Sequence, residues 1–340
     1  MAENLAALTS LRGIAAVVVL LYHLKVYLGP LPTHFLDTGY LWVDFFFVLS
    51  GFVISHVYGR VFATTPEQGA YRRFLVARFA RIYPLHAAIL AWLCIAELLR
   101  WYLISHHSVA DVRPPFGPGR ELSGLASNLT LLQSIGPFGT ESWNRPAWSI
   151  SAEFAAYLLF PVVLRLAASH PRWLTAVSLC GLMTWPWILS VWPEGEFYVA
   201  PFRCLFSFAA GCIAYHAFLK RSAPAWIAMP VAAYVIVDLH LGIYPGLIVW
   251  AFPLVVWAFA GGPAARLLAA QPLIFVGDIS YSIYMIQSPV IVLFDQGLRF
   301  AKISISGTTF VMLVIVAIVV IASATYHWIE KPCRGWLRGF

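Results

Sequence analysis

Residues 11–28 read LRGIAAVVVLLYHLKVYL, an apolar stretch of membrane-spanning length that carries Arg12 at its beginning and His23 near its end. The two polar residues are eleven positions apart. At 100° per residue this spacing is within about 20° of three whole turns, so both side chains leave the helix from one face, about 16 Å apart along its axis. The stretch therefore predicts a transmembrane helix with an ionisable stripe.

The whole chain is as apolar as this stretch. Hydrophobic residues make up 61% of the 340 positions and charged residues 11%, whereas an ordinary soluble domain has roughly 45–50% and about 25%. This composition excludes a soluble enzyme. The net charge of +7 is spread over short loops instead of forming one basic face, which excludes a nucleic-acid-binding protein. The five cysteines show no paired spacing, so neither a disulfide framework nor a metal site is predicted.

Apolar runs bounded by charges, prolines and glycines predict an all-α, polytopic membrane protein with about ten transmembrane helices. The predicted spans are residues 11–28, 40–58, 83–103, 147–168, 173–192, 197–219, 226–238, 244–260, 272–294 and 308–328. The seventh and eighth spans, joined by a turn at 240–242, are short enough to be re-entrant or tilted elements instead. We expect a single transmembrane domain over residues 1–340, with no appended soluble domain.

The distribution of Lys and Arg predicts the orientation in the lipid bilayer. These residues are more frequent in the loops on the side of the N-terminus, so both termini are expected in the cytoplasm. The Pro- and Gly-rich loop at 105–146 is then extracytoplasmic. We expect a multi-pass protein of the inner, cytoplasmic membrane whose first apolar run stays in place as a span.

Ionisable groups at the depth of a bilayer are costly, and each is a candidate for function. Shielding from water suits His23 to act as a general base, and a guanidinium suits Arg12 to bind phosphate or carboxylate. A structural interpretation stays open for both: Arg12 as a topology anchor at the inner rim, and His23 as a hydrogen-bond partner of a neighbouring helix. Asp44, near the outer end of the second span, either orients the imidazole or is an interfacial carboxylate in water.

Two further spans carry polar stripes. Ser149 and Glu153 are one turn apart at the start of the fourth span, where a buried glutamate beside a hydroxyl suits proton transfer or the binding of a substrate hydroxyl. In the ninth span Ser280, Tyr284 and Gln287 share a stripe that can line a cavity. Hydrogen bonding between helices remains an alternative for both sets.

The segment 71–84, YRRFLVARFARIYP, is predicted to be a basic, amphipathic inner loop. It supplies Arg72, Arg73, Arg78 and Arg81, whose guanidinium groups suit bidentate contacts with phosphates. Anionic lipid headgroups explain the segment equally well. At the end of the last span, Glu330 is expected to pair with a cytoplasmic arginine.

Together, and in this order, these pieces resemble the acyltransferase-3 family of integral membrane acyltransferases over residues 11–332. The matching motifs are LRGIA at 11–15 with His23, VDFF at 43–46 leading to LSGF at 49–52, RFARIYP at 78–84, WSIS at 148–151 followed by Glu153, GDISYSIY at 277–284 and IEKP at 329–332. The resemblance implies O-acylation of glycans or other extracytoplasmic molecules, with cytoplasmic acyl-CoA as the donor. It also implies that Arg12 and His23 form the essential pair and that the arginines of the inner segment lie near the CoA phosphates.

One departure from the family pattern concerns Gln287. In the ninth span the family often has a histidine before the proline, whereas this chain reads QSP at 287–289. A glutamine side chain can bind or orient a substrate, but it cannot accept and deliver a proton.

These inferences combine into one mechanism. An acyl group, most simply acetyl, passes from acyl-CoA at the inner face to a hydroxyl of a glycan or related acceptor at the outer face, without a metal. His23 removes the hydroxyl proton, Asp44 or Glu153 orients the imidazole, and Ser149 or Tyr284 stabilises the oxyanion. An acyl-enzyme relay is the alternative route. The rival function is a proton-coupled transporter or flippase, in which the same ionisable residues relay protons.

Overall fold

A computed structural model describes the chain at residues 6–29, 34–63, 66–107, 114–139, 142–221, 223, 225–241, 245–261 and 263–337. Across these residues the structure is mainly helical and contains no β-strand. The α-helices are α1 (Ala6–Leu28), α2 (Trp42–Ala63), α3 (Ala70–His107), α4 (Leu122–Leu129), α5 (Trp148–Ser169), α6 (Pro171–Val191), α7 (Glu196–Lys220), α8 (Ala225–Leu241), α9 (Pro245–Phe259), α10 (Pro263–Leu267), α11 (Gln271–Asp278), α12 (Ser280–Phe300), α13 (Gly307–Thr325) and α14 (Lys331–Leu337).

The membrane-spanning elements confirm a polytopic, all-α fold. Among the described residues, seven helices are long and apolar enough to cross a bilayer, and α11 with α12 make an eighth crossing if the pair counts as one span. The expected number of about ten is not confirmed, because α8 and α9 have 17 and 15 residues and a crossing needs about 20. Gly242 in the predicted turn and Tyr244 at the predicted start of the eighth span lie outside the described residues.

Helix α3 shows that the prediction of an inner loop at 71–84 is wrong. The helix begins at Ala70, continues through Pro84 and ends at His107, so the basic segment and the third predicted span form one helix of 38 residues. A proline is tolerated inside membrane helices because neighbouring groups satisfy the freed backbone. At 1.5 Å per residue α3 is about 57 Å long, well beyond the roughly 30 Å hydrocarbon core. Part of the helix therefore extends past the bilayer.

The ninth predicted span is broken. Helices α11 and α12 are separated at Ile279 and bend by 59°. At this break the carbonyl oxygen of Gly277 accepts hydrogen bonds from Arg12 Nε and Nη2 of α1, at 3.2 and 2.7 Å. The helices approach so closely here that a Cβ added to Gly13 would lie 2.7 Å from the backbone nitrogen of Gly277. These contacts hold α1 against the break.

A second close crossing joins α2 and α7. A Cβ added to Gly51 would lie 2.0 Å from the carbonyl oxygen of Phe208, and one added to Gly211 would lie 1.9 Å from that of Val48. Small residues at such crossings let the backbones pack directly. Helix α7 also packs against α5, so the α2–α7 pair forms a rigid wall beside α5.

The last membrane helix widens before it ends. Between α13 and α14 the residues Tyr326–Glu330 form a π-turn, a feature that often occurs at functional sites. This turn brings the Glu330 carboxylate to the guanidinium groups of Arg81 in α3 and Arg334 in α14, and both bind it. Ser282 Oγ of α12 donates to the same carboxylate at 3.0 Å. The predicted pairing of Glu330 with an arginine is confirmed.

The end of α1 that follows His23 is tied to the loop leading to α2. Lys25 Nζ donates to Asp37 Oδ1 at 2.7 Å, and His34 Nδ1 lies 3.3 Å from Asp37 Oδ2. The hydrogen bond from Lys25 is the main cause that holds the pKa of Asp37 below its ordinary value. The ion pair therefore limits how far the start of α2 moves from the end of α1.

Candidate active site

A cavity of about 200 Å³ lies where α1, α2, α3, α5 and α12 meet. Its lining extends along α2 from Ile54 to Val43, a rise of about 16 Å at 1.5 Å per residue. The polar lining residues are Thr9, Arg12, Ser50, Arg78, Arg81, Ser149, Glu153, Tyr157, Ser280, Tyr281 and Tyr284. The structure thus brings most of the predicted site residues to one cavity, namely Arg12, Arg78, Arg81, Ser149, Glu153 and Tyr284.

The inner half of the cavity is cationic. Arg12 Nε donates to Ser280 Oγ at 2.9 Å, in addition to its bonds with the broken span, and this leaves Nη1 without a partner among the described residues. Arg78 lies over the ring of Tyr58, with 5.3 Å between its guanidinium carbon and the ring centroid, and its Nε is buried without a hydrogen-bond partner. In the described part of the chain, neither guanidinium forms an ion pair with a carboxylate.

Glu153 supplies a negative charge at mid-depth. Glu153 lines the cavity beside Ser50 and Tyr157, and its carboxylate lies within electrostatic range of Arg78 and Arg81. Because Arg81 already binds Glu330, the arginines of the cavity exceed the carboxylates that balance them. The cavity is therefore suited to an anionic ligand.

The outer end of the cavity carries two hydroxyl groups that are already engaged. Ser149 Oγ and the hydroxyl of Tyr284 both donate to the carbonyl oxygen of Pro146, each at 3.1 Å. A hydroxyl has one hydrogen to donate, so neither group is free to donate to an oxyanion in this conformation. Phe46 also lines this end, with its ring centroid 5.7 Å from that of Tyr284.

His23 does not line this cavity. Its Nδ1 is 2.8 Å from the carbonyl oxygen of Val19 on its own helix. Because a carbonyl only accepts, Nδ1 carries the proton and Nε2 carries the lone pair that a base needs. His23 is not among the lining residues of the cavity that Arg12 lines, and Ala16 and Val19, which lie between the two on the same face of α1, are buried. The predicted passage from Arg12 to His23 is therefore closed in this conformation.

The first role that the sequence offered for Asp44 was to orient the imidazole of His23. The structure does not place Asp44 in that role. Its fully buried carboxylate accepts from Arg203 Nε at 3.0 Å to each oxygen, from Arg203 Nη2, and from Ser207 Oγ at 3.1 Å. Arg203 belongs to α7 and lies 4.1 Å from the ring centroid of Trp185. Both oxygens of Asp44 are thus engaged by α7, on the face of α2 that points away from the cavity. The carboxylate is not in water either.

Arg72 and Arg73 do not line the cavity. Both are exposed on α3, and Arg73 Nη2 pairs with Glu67 Oε2 at 3.2 Å. Arg72 lies six positions before Arg78. Its side chain therefore leaves the helix about 120° away from that of Arg78, which lines the cavity. Of the four arginines in the segment 71–84 that were expected to bind phosphate, only the later two reach the cavity.

Gln287, the last of the predicted binding residues, lies one turn beyond Tyr284 on α12. It is fully buried, and neither its Oε1 nor its Nε2 has a hydrogen-bond partner among the described residues. It does not line the cavity. Within the described residues, no group of three or more His, Cys, Asp and Glu side chains is placed to hold a metal ion.

The sequence profile of one protein family matches nearly the whole chain. Its profile, described as an acyltransferase domain, aligns with residues 5–327. The chain belongs to the acyltransferase-3 family. The cavity between α1, α2, α3, α5 and α12 is thus the candidate active site of a membrane-embedded acyltransferase domain.

Named relatives are similar to parts or to most of this acyltransferase-3 chain. Acyltransferase MdmB of Streptomyces mycarofaciens is 31% identical over 204 residues, which cover 56% of this chain and 48% of that protein. Peptidoglycan O-acetyltransferase OatA of Listeria monocytogenes is 23% identical over 362 residues, which cover 96% of this chain and 55% of that protein. The chain thus spans about half the length of these two relatives. No solved structure matches it.

Two residues that support the site of this family member were missed by the sequence patterns. Arg203 lies inside the apolar run 197–219, and a charge within a span was the signal that could have found it. Asn144 lies in the Pro- and Gly-rich loop at 105–146, where a polar residue is unremarkable in sequence. In the structure Asn144 is buried, and its Nδ2 donates to the carbonyl oxygen of Met285 in α12 at 3.1 Å.

Proposed function

We propose that this protein transfers an acyl group, most simply acetyl, from cytoplasmic acyl-CoA to a hydroxyl of an extracytoplasmic glycan or related acceptor, with His23 as the general base. The enzyme works in the cytoplasmic membrane, where donor and acceptor arrive from opposite faces. Its relatives support this class of reaction, because OatA is named a peptidoglycan O-acetyltransferase and MdmB an acyltransferase.

The cationic inner half of the cavity is the observation that best supports acyl-CoA as the donor. Arg12 and Arg78 present N–H groups with no carboxylate partner among the described residues, and a buried guanidinium is stable only when an anion is near. The phosphates of CoA supply such anions, and guanidinium groups bind them through strong, charge-assisted hydrogen bonds. In the predicted orientation this half of the cavity faces the cytoplasm, where acyl-CoA is found.

The length of the cavity supports the same donor. It extends about 16 Å along α2, which suits an extended phosphopantetheine arm whose phosphate end lies at the arginines. The amide groups along that arm would face Ser50, Glu153 and Tyr157, which offer hydroxyl and carboxylate partners. The thioester would then reach the end of the cavity that Phe46 and Tyr284 line.

Transfer to an outer hydroxyl requires a passage from this cavity to His23, which does not line it. Phe46 is half-buried and lines the cavity, so a rotation of its ring is the movement that we propose opens this passage. We therefore treat the closed conformation as a resting state that keeps water away from the thioester.

The chemistry follows from the tautomer of His23. Nε2 removes the proton of the acceptor hydroxyl as its oxygen attacks the thioester carbonyl, and a C–O bond forms. The C–S bond then breaks, and the CoA thiolate leaves and takes the proton back from the imidazolium. The hydrogen bond from Nδ1 to the carbonyl of Val19 stabilises the imidazolium between these steps.

The test measures release of CoA from labelled acetyl-CoA by the purified protein in lipid nanodiscs, with and without a panel of methyl glycosides as acceptor probes. The wild type is expected to release CoA without a sealed compartment. The variant His23→Ala is expected to lose about 10²–10⁴-fold of the rate, as a missing general base does.

His216→Ala is the matched control. The ring of His216 makes the same contact with its own helix, from Nδ1 to the carbonyl oxygen of Cys212 at 3.0 Å, but it lies on α7 and does not line the cavity. This variant is expected to keep the wild-type rate. A full rate in His23→Ala, or activity that depends on a sealed vesicle, would overturn the proposal and favour transport.

A further inference from the structure

A second cavity, of about 330 Å³, lies outside the candidate active site, between α3, α12 and α13. We call it the lateral groove. Helix α3 lines it between residues 85 and 92, α12 between residues 286 and 293, and α13 with the π-turn between residues 321 and 329. Apart from the hydroxyl of Thr325 and the indole of Trp92, every described lining side chain is aliphatic. The lateral groove is therefore suited to a hydrocarbon chain.

The lateral groove opens towards the bilayer. Leu85 and Ile286 at its floor are buried, whereas Trp92, Leu293 and Ile321 at its rim are exposed. The three helices belong to candidate membrane spans, so this rim faces lipid. From residue 85 to residue 92 α3 rises about 10 Å, which is about two thirds of the roughly 15 Å that one leaflet contributes to the hydrocarbon core. The groove thus matches the length of a large part of one lipid acyl chain.

A cluster of charges lies one turn beyond one end of the lateral groove. Arg81 precedes Leu85 by one turn on the same face of α3. Glu330 directly follows Ile329 and binds both Arg81 and Arg334. Two guanidinium groups therefore share one carboxylate, and the side chains of both arginines keep a small exposed fraction.

The balance of charge at this end favours an anion. Lys331 is exposed and adds a further positive charge directly after the shared carboxylate. Asp278 and Arg78 also lie within electrostatic range of Arg334, and their charges offset each other. The end of the groove at the π-turn thus has an excess of positive charge, which attracts the phosphate of an anionic lipid.

Two tryptophans indicate the depth of this cluster in the membrane. Trp328 and Trp336 lie on either side of the cluster in sequence, and both are exposed. Exposed tryptophans are enriched where a membrane protein meets the lipid headgroups. The cluster therefore lies at the level of the headgroups, and the lateral groove extends from there into the hydrocarbon.

We propose that the lateral groove holds an acyl chain of an anionic phospholipid of the bilayer, whose phosphate lies at Arg334 and Lys331. Charge-assisted hydrogen bonds hold the phosphate, and burial of the chain against three helices adds hydrophobic free energy. The lipid fills the space between α3 and α13 and so supports the helix that carries Arg78 and Arg81. This role is independent of the proposed reaction.

Two observations favour a bilayer lipid over the chain of a substrate. The hydroxyl of Tyr281 in α12 donates to the carbonyl oxygen of Ile82 in α3, and both residues line the candidate active site and not the groove. This bond joins α3 to α12 between the two cavities. On α12 the first charges beyond the other end of the groove, Asp295 and Arg299, pair at 3.0 Å and cancel, so that end offers less to a phosphate from the opposite leaflet.

The first test measures lipid binding by native mass spectrometry of the full chain released from detergent. The probes are a phosphatidylglycerol and a phosphatidylcholine with the same acyl chains. The wild type is expected to retain one phosphatidylglycerol and to bind it at least about tenfold more tightly than the phosphatidylcholine, as two basic residues beside an anionic headgroup predict. Equal binding of the two lipids would overturn the proposal.

The second test fills the lateral groove. Ala88 lines the groove on α3, and Ala88→Trp is expected to weaken the retained phosphatidylglycerol at least about tenfold, since the indole occupies the space of the chain. Ala91→Trp is the matched control, because Ala91 is exposed on the same helix and does not line the groove. Equal retention by the two variants would contradict the proposal. A wild-type dimer that Ala88→Trp dissociates would assign the groove to a second copy of the chain and overturn it as well.

The third test changes the headgroup site through an exposed residue, so it holds even if Ala88→Trp does not fold. Lys331→Gln is expected to reduce the preference for phosphatidylglycerol over phosphatidylcholine about fivefold, the effect of one basic residue at an anionic lipid. Lys220→Gln, at the exposed end of α7, is expected to keep the wild-type preference. An unchanged preference in Lys331→Gln would overturn the proposal. None of these measurements uses release of CoA, so their outcome does not depend on the proposed function.

Discussion

Arg203 of α7 binds both carboxylate oxygens of Asp44 in α2, across 159 positions of sequence. Both residues are buried, at 7% and 0% exposure. The guanidinium carbon of Arg203 also lies 5.7 Å from the ring centroid of Trp148, the residue that precedes Ser149 at the start of α5. The pair therefore joins the α2–α7 wall to the helix that carries Glu153, and we expect Asp44 to act on the site by positioning that helix.

Replacing one member of this pair leaves a buried charge without a partner. Asp44→Asn is expected to lower the stability by about 3–5 kcal/mol, measured as a drop in the thermal midpoint. The double variant Asp44→Leu with Arg203→Met removes both charges and is expected to regain the midpoint and the release of CoA. A double variant that is stable but inactive would show that Asp44 takes part in the chemistry.

The cationic half of the cavity predicts a donor-specific effect. Arg78→Gln is expected to raise the KM for acetyl-CoA about 10- to 100-fold with little change in kcat, because a hydrogen bond to a charged group contributes about 1.5–3 kcal/mol. Arg73→Gln on the same helix, whose guanidinium is exposed and pairs with Glu67, is expected to keep the wild-type KM. Equal effects of the two variants would point to a general surface attraction instead of a site.

The π-turn predicts a structural role for Glu330. Glu330→Gln removes the charge that Arg81 and Arg334 share, and we expect a loss of about 3 kcal/mol in stability, visible as a lower thermal midpoint. The neighbouring Lys331 is exposed, so Lys331→Gln should change stability by no more than about 0.5 kcal/mol. An unchanged midpoint in Glu330→Gln would contradict this role.

The bonds to Pro146 predict a small effect at the outer end of the cavity. Ser149→Ala is expected to reduce kcat less than about fivefold, since the hydroxyl hydrogen is already donated to a carbonyl, whereas loss of an oxyanion donor costs about 10²–10³-fold. Release of CoA from acetyl-CoA measures the difference. A loss in the larger range would mean that Ser149 exchanges its partner during the reaction and stabilises the oxyanion after all.

Several features of the site were predictable from local patterns. The eleven-residue spacing of Arg12 and His23, the arginines of RFARIYP and the Ser149–Glu153 pair each mark one helix face, and helix geometry converts spacing into direction. Most of these residues line one cavity. That residues 1–340 form a single transmembrane domain stays a prediction, as do the roles of the individual site residues.

Other features depended on contacts that spacing does not record. At the break at Ile279, Arg12 of the distant α1 binds the carbonyl oxygen of Gly277. That α3 continues through Pro84 was likewise visible only in the structure. In the same way, the helix that Asp44 faces depends on the rotation of α2 about its axis. The close contacts of Gly51 with α7 and of Gly211 with α2 set this rotation. Phe46 of α2 and Tyr284 of α12 line the cavity together with Arg12 of α1, whereas His23 of α1 does not, and spacing along α1 could not show this.

The amino-acid sequence by itself determined that the protein lies in a membrane, that it is helical, and which few polar residues are exceptional there, because the cost of a charge in hydrocarbon is a property of each residue and its near neighbours. Only the tertiary structure decided which of these residues meet. It paired Asp44 with Arg203 and Glu330 with Arg81, and it left Gln287 buried without a partner in the described part of the chain, because the partners of a buried polar group are set by helix packing between segments far apart in the chain.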